Sequence, residues 1–472
     1  MAGSTGESGM RSELRMRQRN ESLEKNIIIE LTIVFCLLVS LGFPGNFTVI
    51  YGEKAGKLLE YLGFLAEILL IMMSSGETWQ DVELLHLDKK YAALYLYVLF
   101  TFGQSMLVTA YPKEQVITCL RLVVTLFFVI WLQEKFKLEQ ILEMFNIAQG
   151  VFILATLFFM ARHPGMAYES GKTFSHALNG LYPSKNICAT EFGFGIIMNV
   201  LLINIKFRKR QLKRRWLILL FVQLVLLFMC QATGPVITMI LAVLSVFVFP
   251  RQRLPLGLIY ITVNVVFLFA MLTMMPLFEG VITAMGKDAT LTGRIPMWNR
   301  IITVMTENNT MMGFGYGMFW RDTNAVRLFQ SAFSMRKDSF MATHTNGAHN
   351  VIMEMWLNSG LLGIAAFFAT MLFSFRNIAF LDEERYHFCA SVIVYLMING
   401  LTERCLGGNY DFKTVGVFLA MALCSNQHIV YRLHTRSGQM EDDDKEQARD
   451  AAEPGTAATI GAGGEERYGV IR

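Results

Sequence analysis

A long polar interval from about Leu277 to Ala348 carries the residue types best suited to chemistry in this chain. It holds Lys287, Arg294, Arg300, Arg321, Arg327, Arg336 and Lys337 against Glu279, Asp288, Glu307, Asp322 and Asp338. A guanidinium offers a planar fork of donors matched to phosphate oxygens, so these arginines suit an anionic ligand as well as a salt-bridged cap. The interval ends in Thr343-His344-Thr345-Asn346-Gly347-Ala348-His349-Asn350, directly before an apolar run. An imidazole, with an unperturbed pKa of about 6.5, is chemically able to take a proton from a hydroxyl, although His349 taken alone reads as a surface histidine sooner than as a base. Asn350, Glu354 and Asn358 recur every four residues and form one polar stripe on the helix that follows. A Glu among apolar residues marks either a functional site or a hydrogen bond between helices.

The elements that must position these groups are set by composition. With 53% hydrophobic and 17% charged residues and a mean hydropathy of +0.41 over 472 residues, the polar surface is too small for a soluble protein of this size. Apolar stretches long enough to cross roughly 30 Å of hydrocarbon as helices recur along nearly the whole chain. Spans are expected near 27–44, 58–75, 91–110, 115–132, 141–161, 188–205, 216–232, 234–250, 255–276, 350–374, 387–402 and 412–427. The expected fold is all-α: a polytopic membrane bundle of about twelve transmembrane helices with one large outer loop, 277–348. The first apolar run follows a long polar leader and shows no small-residue cleavage pattern around Gly42-Phe43-Pro44-Gly45, so it reads as the first span.

Orientation follows from where short loops keep Lys and Arg. The leader, residues 1–26, holds Arg11, Arg15, Arg17, Arg19 and Lys25, which sets the N-terminus inside. Lys89-Lys90, Lys135, Lys137, the run Lys206 to Arg215, Arg251, Arg253 and Arg376 then all fall inside, and so does the tail, 431–472. That tail contains Glu441-Asp442-Asp443-Asp444 and Ala-, Gly- and Glu-rich sequence without apolar periodicity; it reads as disordered and its acidic run as solvated rather than metal-binding. The net charge of +4 comes from inside loops and needs no nucleic-acid partner. Seven cysteines lie mostly in or beside apolar spans without CxxC spacing, which points to small core residues. Asn46-Phe47-Thr48 and Asn308-Asn309-Thr310 match the N-glycosylation pattern, a signal too short to carry weight.

Thr292-Gly293-Arg294-Ile295-Pro296-Met297-Trp298, Gly313-Phe314-Gly315-Tyr316-Gly317, His349-Asn350 and Gly360-Leu361-Leu362-Gly363 follow one another in an order and spacing that resembles the O-antigen ligase and polymerase superfamily. Leu181-Tyr182-Pro183-Ser184-Lys185-Asn186 is similar to the Lys-Asn element before a middle span of that family, and Thr402-Glu403 stands where it often has a Glu near an outer helix end. The resemblance implies a GT-C type membrane glycosyltransferase that takes a glycan from an undecaprenyl-diphosphate carrier. The acceptor would be a lipid-linked repeat for a polymerase, a lipid A core sugar for a ligase, or a protein hydroxyl for the related O-oligosaccharyltransferases. It implies Arg294 on the donor diphosphate and His349 as base or acceptor-orienting group. Arg300, Arg321, Lys185, Asn350, Glu354 and Glu403 are the expected substrate-binding residues. No cofactor and no metal are expected, since an Arg can stabilise a departing diphosphate without one. The implied partners are the lipid-linked donor, a glycan or lipid-anchored acceptor and membrane lipid; the implied location is the bacterial inner membrane, with both termini cytoplasmic.

One departure stands out. The family usually has a further Arg in a Ser-Arg-Gly-like element at the outer end of a middle helix pair, and here that place reads Cys230-Gln231-Ala232-Thr233-Gly234-Pro235. Lys185, Arg162 or another loop Arg would have to substitute. The competing class is a polytopic transporter, which should show related halves; the single large loop has no counterpart in the first half. A purely structural scaffold would leave the intramembrane polar stripe without a purpose. Within the glycosyltransferases the reading leans to a polymerase over a ligase.

Overall fold

A computed structural model describes residues 26–42, 50–73, 88–169, 176–248, 255–284, 294–331, 347–403 and 411–425. The leader up to Lys25, the tail from Tyr431, Cys405, Thr292, Gly293, Lys287, Asp288, Arg336, Lys337, Asp338 and His344 lie outside the described residues, and Glu279 has no described side chain.

The described residues are helical almost throughout. Its main helices are α1 (Asn26–Ser40), α2 (Glu53–Met73), α3 (Ala92–Val108), α4 (Pro112–Lys135), α5 (Leu138–Arg162), α6 (Lys185–Arg208) and α7 (Arg214–Met229). They continue with α8 (Thr233–Val248), α9 (Leu256–Ala284), α10 (Arg294–Val304), α11 (Thr323–Ser331), α12 (Val351–Phe375), α13 (Glu383–Thr402) and α14 (Phe412–Ser425). Two two-residue strands, β1 (Tyr168–Glu169) and β2 (Ala177–Leu178), pair antiparallel between α5 and α6. A helix stands in each interval where a span was expected. By length and apolar content six of them, α3 to α6, α9 and α12, can cross a membrane among the described residues, and the shorter α1, α8 and α14 are apolar as well. Helix α2 carries Glu53, Lys54, Lys57, Glu60 and Glu67, and α13 opens on Glu383 and Glu384.

Which side of each helix faces inward follows from burial. Every residue of α14 is buried, the signature of a helix enclosed on all sides. It packs against α4, α12 and α13, while α13 packs against α6, α8 and α9 as well. Peripheral faces expose large apolar side chains, among them Leu99, Leu107, Phe158, Phe207, Phe221, Phe247 and Phe269. Such a belt is unfavourable in water and at no cost in lipid. The described cysteines are buried, as small core residues.

The two glycine motifs turn out to serve one architectural purpose. Helix α12 is broken at Gly360, which has φ +62° and ψ −171°, a conformation open essentially only to glycine. The break frees carbonyls, and the segment Gly313–Gly317 inserts to meet them: Phe314 N–H donates to Leu357 O at 2.9 Å and Gly315 N–H to Asn358 O at 2.9 Å. In return Leu361 N–H donates to Thr310 O at 3.1 Å and Leu362 N–H to Met311 O at 3.2 Å. A Cβ on Gly313 would come within 2.6 Å of the Gly360 nitrogen. The inserted segment is held from its other side by α3 and α4, where Tyr316 N–H donates to Ser105 Oγ at 2.9 Å and Gln115 Nε2 to Tyr316 O at 3.1 Å.

Candidate functional site

Several helix ends meet at one end of the bundle: the N-termini of α6, α10, α12 and α14 and the C-terminus of α13. The caps show how the sequence sets these starts. Ser184 accepts from Ile187 N–H, Asn350 Oδ1 accepts from Ile352 N–H at 3.0 Å and Met353 N–H at 3.1 Å, and Asp411 accepts from Thr414 N–H at 2.7 Å. The caps occupy first-turn donors of α6, α12 and α14, so anion binding here falls to side chains rather than to these amides.

Glu403, one residue beyond α13, joins the two residues expected to carry the chemistry. Its Oε1 accepts from Arg294 Nη2 at 2.8 Å, and its Oε2 lies 2.9 Å from His349 Nδ1. Asn186 Nδ2 donates to the same Oε1 at 3.4 Å. The carboxylate is nearly enclosed, with its side chain 12% exposed, against 19% for Arg294 and 34% for His349. Burial alone would raise the Glu403 carboxyl, but the hydrogen bond from His349, with the charges of Arg294 and Lys413 beyond it, holds it below its ordinary value. An ionised carboxylate only accepts, so Nδ1 of His349 carries the proton of that bond and Nε2 is the nitrogen left for a substrate.

The backbone around His349 is held from both sides. Trp298 Nε1 on α10 donates to Ala348 O at 2.8 Å, and Ala348 N–H donates to Glu354 Oε2 at 2.7 Å. His349 itself has φ +48°, the left-handed region that a non-glycine residue seldom occupies. Asn350 Nδ2 donates to Leu401 O at 3.2 Å and so ties the start of α12 to the end of α13. Glu354, 1% exposed, also accepts from Trp320 Nε1 at 3.1 and 3.2 Å and from Asn358 Nδ2 at 3.5 Å. Asn358 Oδ1 in turn accepts from Gly317 N–H at 3.1 Å, so the polar stripe of α12 fastens the loop to the helix.

Arg300 lies elsewhere on α10. Its Nε donates to Phe329 O at 3.3 Å, and its Nη2 to Ser331 Oγ at 3.2 Å and to Leu328 O, so it caps the C-terminus of α11. Arg321 sits in the turn before α11, with its N–H donating to Met318 O at 2.8 Å. Lys185 opens α6 beside Asn186 and lies 3.7 Å from Glu169 Oε2. The turn Cys230–Pro235, where the further arginine was expected, borders the site: a Cβ on Gly234 would sit 3.8 Å from Thr402 Oγ1.

Sequence reasoning missed a buried ion pair beneath these groups. Lys413 Nζ lies 3.1 Å from Glu191 Oε1, with side chains only 8% and 5% exposed. The signal was present, since both residues are charges inside expected spans, the same criterion that singled out Glu354. Among the described residues no cluster of three or more His, Cys, Asp or Glu side chains could hold a metal ion.

Residues 218–368 match the model of the O-antigen ligase family. That match includes Arg294, the glycine segment, His349 and the broken start of α12, and over those residues it supports the resemblance to the O-antigen ligase and polymerase superfamily. No curated protein matches the chain.

Proposed function

We propose that the protein moves a glycan from an undecaprenyl-diphosphate carrier to an acceptor hydroxyl in surface polysaccharide assembly, as a polymerase in preference to an O-antigen ligase. The observation that carries this reading is the Glu403 carboxylate bridging Arg294 and His349. It sets a guanidinium suited to diphosphate beside an imidazole whose Nδ1 is taken up by the carboxylate, which leaves Nε2 for the acceptor.

In the reaction, His349 Nε2 takes the acceptor O–H proton as that oxygen bonds to the anomeric carbon of the donor. The bond from that carbon to the diphosphate oxygen breaks, the electron pair leaves with the lipid diphosphate, and Arg294 stabilises the charge that develops there without a metal. Lys185, Asn186 and Asn350 border the same end of the bundle and are proposed to contact the sugars or phosphates. The apolar outer faces support a lipid-embedded bundle, which we read as making about twelve crossings of the bacterial inner membrane, with the site on the outer side and both termini cytoplasmic.

The test is the surface glycan of a strain lacking the chain, separated by size and probed for carrier-linked material. Single repeat units in place of a ladder support the polymerase, and long polymer stranded on the carrier would make it a ligase. An unchanged profile would overturn the glycosyltransferase reading in favour of a transporter.

A further inference from the structure

We infer that Glu403 is the positioning residue of the site and the stand-in, before substrate arrives, for a donor phosphate oxygen on Arg294. This rests on the reading of Arg294 as the diphosphate-binding cation and His349 as the base.

The two oxygens of one carboxylate have different tasks. Oε2 holds His349 Nδ1 at 2.9 Å, which fixes the tautomer and the ring plane. Oε1 holds Arg294 Nη2 at 2.8 Å and takes Asn186 Nδ2 at 3.4 Å, so it occupies the donors that a phosphate oxygen would use. The carboxylate itself is anchored. Glu403 N–H donates to Asn399 O at 2.8 Å, its side chain is nearly buried, and Asn350 ties the neighbouring Leu401 carbonyl to the start of α12. Glu403 is therefore fixed to the base by the backbone of two helices, while Arg294 reaches it only through a side chain from α10. A diphosphate carries more charge than a carboxylate and can displace Oε1 from the guanidinium while Oε2 stays on His349. The donor then takes a defined place relative to the base, and part of its binding energy goes into releasing Arg294.

The consequence is a split that a merely structural residue would not produce. Removing the competing charge should tighten donor binding while loosening the base. The experiment uses the full chain in lipid nanodiscs, with farnesyl diphosphate as binding probe and the native lipid-linked donor for turnover. Glu403→Gln is expected to bind the probe on the order of tenfold more tightly, the equivalent of one charge-assisted hydrogen bond no longer surrendered. Its kcat should fall on the order of a hundredfold, as the donor KM drops. Should Glu403→Gln fail to insert, Glu403→Ala carries the same test, because it removes both the competing charge on Arg294 and the acceptor on His349 Nδ1. Weaker or unchanged probe affinity in these variants, or an unchanged kcat, would overturn the inference. If instead Arg294→Ala leaves probe affinity at the wild-type value, the donor-binding role of Arg294 fails, and that result is separate from any behaviour of Glu403.

Discussion

Replacing Gly360 by alanine puts a methyl group where the chain has no room for one. The new Cβ would overlap the carbonyl oxygen of Met311, and the φ of +62° with ψ of −171° is a conformation in which a Cβ costs about 1–3 kcal/mol. The nearest relief is to push the Thr310–Met312 backbone away, which breaks the hydrogen bonds from Leu361 and Leu362 to Thr310 and Met311. At about 1 kcal/mol each, those two bonds bring the expected loss to about 3–5 kcal/mol, a large share of the roughly 5–15 kcal/mol that holds a typical protein folded. Gly103 is the control. It lies in α3 with no heavy atom within 4 Å of its Cβ position, so Gly103→Ala should be neutral or stabilising by about 0.5–1 kcal/mol. Thermal unfolding of the purified full chain in detergent, followed by tryptophan fluorescence, reads both. A drop of about 3–5 °C for Gly360→Ala is expected; a midpoint within about 1 °C of the wild type would refute the account of the helix break.

Three further outcomes are expected. Lys413→Met leaves Glu191 buried without its partner and should cost about 3–5 kcal/mol, while the double variant with Glu191→Gln recovers most of it, as thermal melts of all three will show. Arg300→Ala removes the cap of α11 and should cost about 1 kcal/mol while transfer persists, so glycan ladders that survive in this variant but not in Arg294→Ala separate the two arginines. Glu403 is held below its ordinary value of 4.5, so its folded pKa lies under its unfolded one. Its contribution to stability is therefore full above about pH 4.5 and is lost as pH falls through the folded value; the wild type should lose stability more steeply in acid than Glu403→Gln.

The helices were legible because each apolar run is long enough to be read without any partner, and a helix stands in every interval where a span was expected. The site was legible in part. Arg294, His349 and Glu403 came from motif order, yet nothing in their spacing showed that one carboxylate would join residues from three separate helix ends. Glu354 was read as either a functional group or an interhelix bond, and its contacts to Ala348, Trp320 and Asn358 make it a fastener between loop and helix. The glycines of Gly313–Gly317 and Gly360 gave no hint that they fit each other, because a close approach of two backbones leaves only the absence of a side chain in the sequence. Glu191 and Lys413 were passed over although each is a charge in an apolar span, a cost that only pairing relieves.

The most direct test of the central claim is complementation of a strain lacking the chain with His349→Ala and Arg294→Ala, each checked for normal insertion level, followed by the surface glycan profile. The account predicts that neither variant restores transfer, since one removes the group that takes the acceptor proton and the other the cation facing the departing diphosphate. A normal profile from either variant would contradict it and remove that residue from the mechanism.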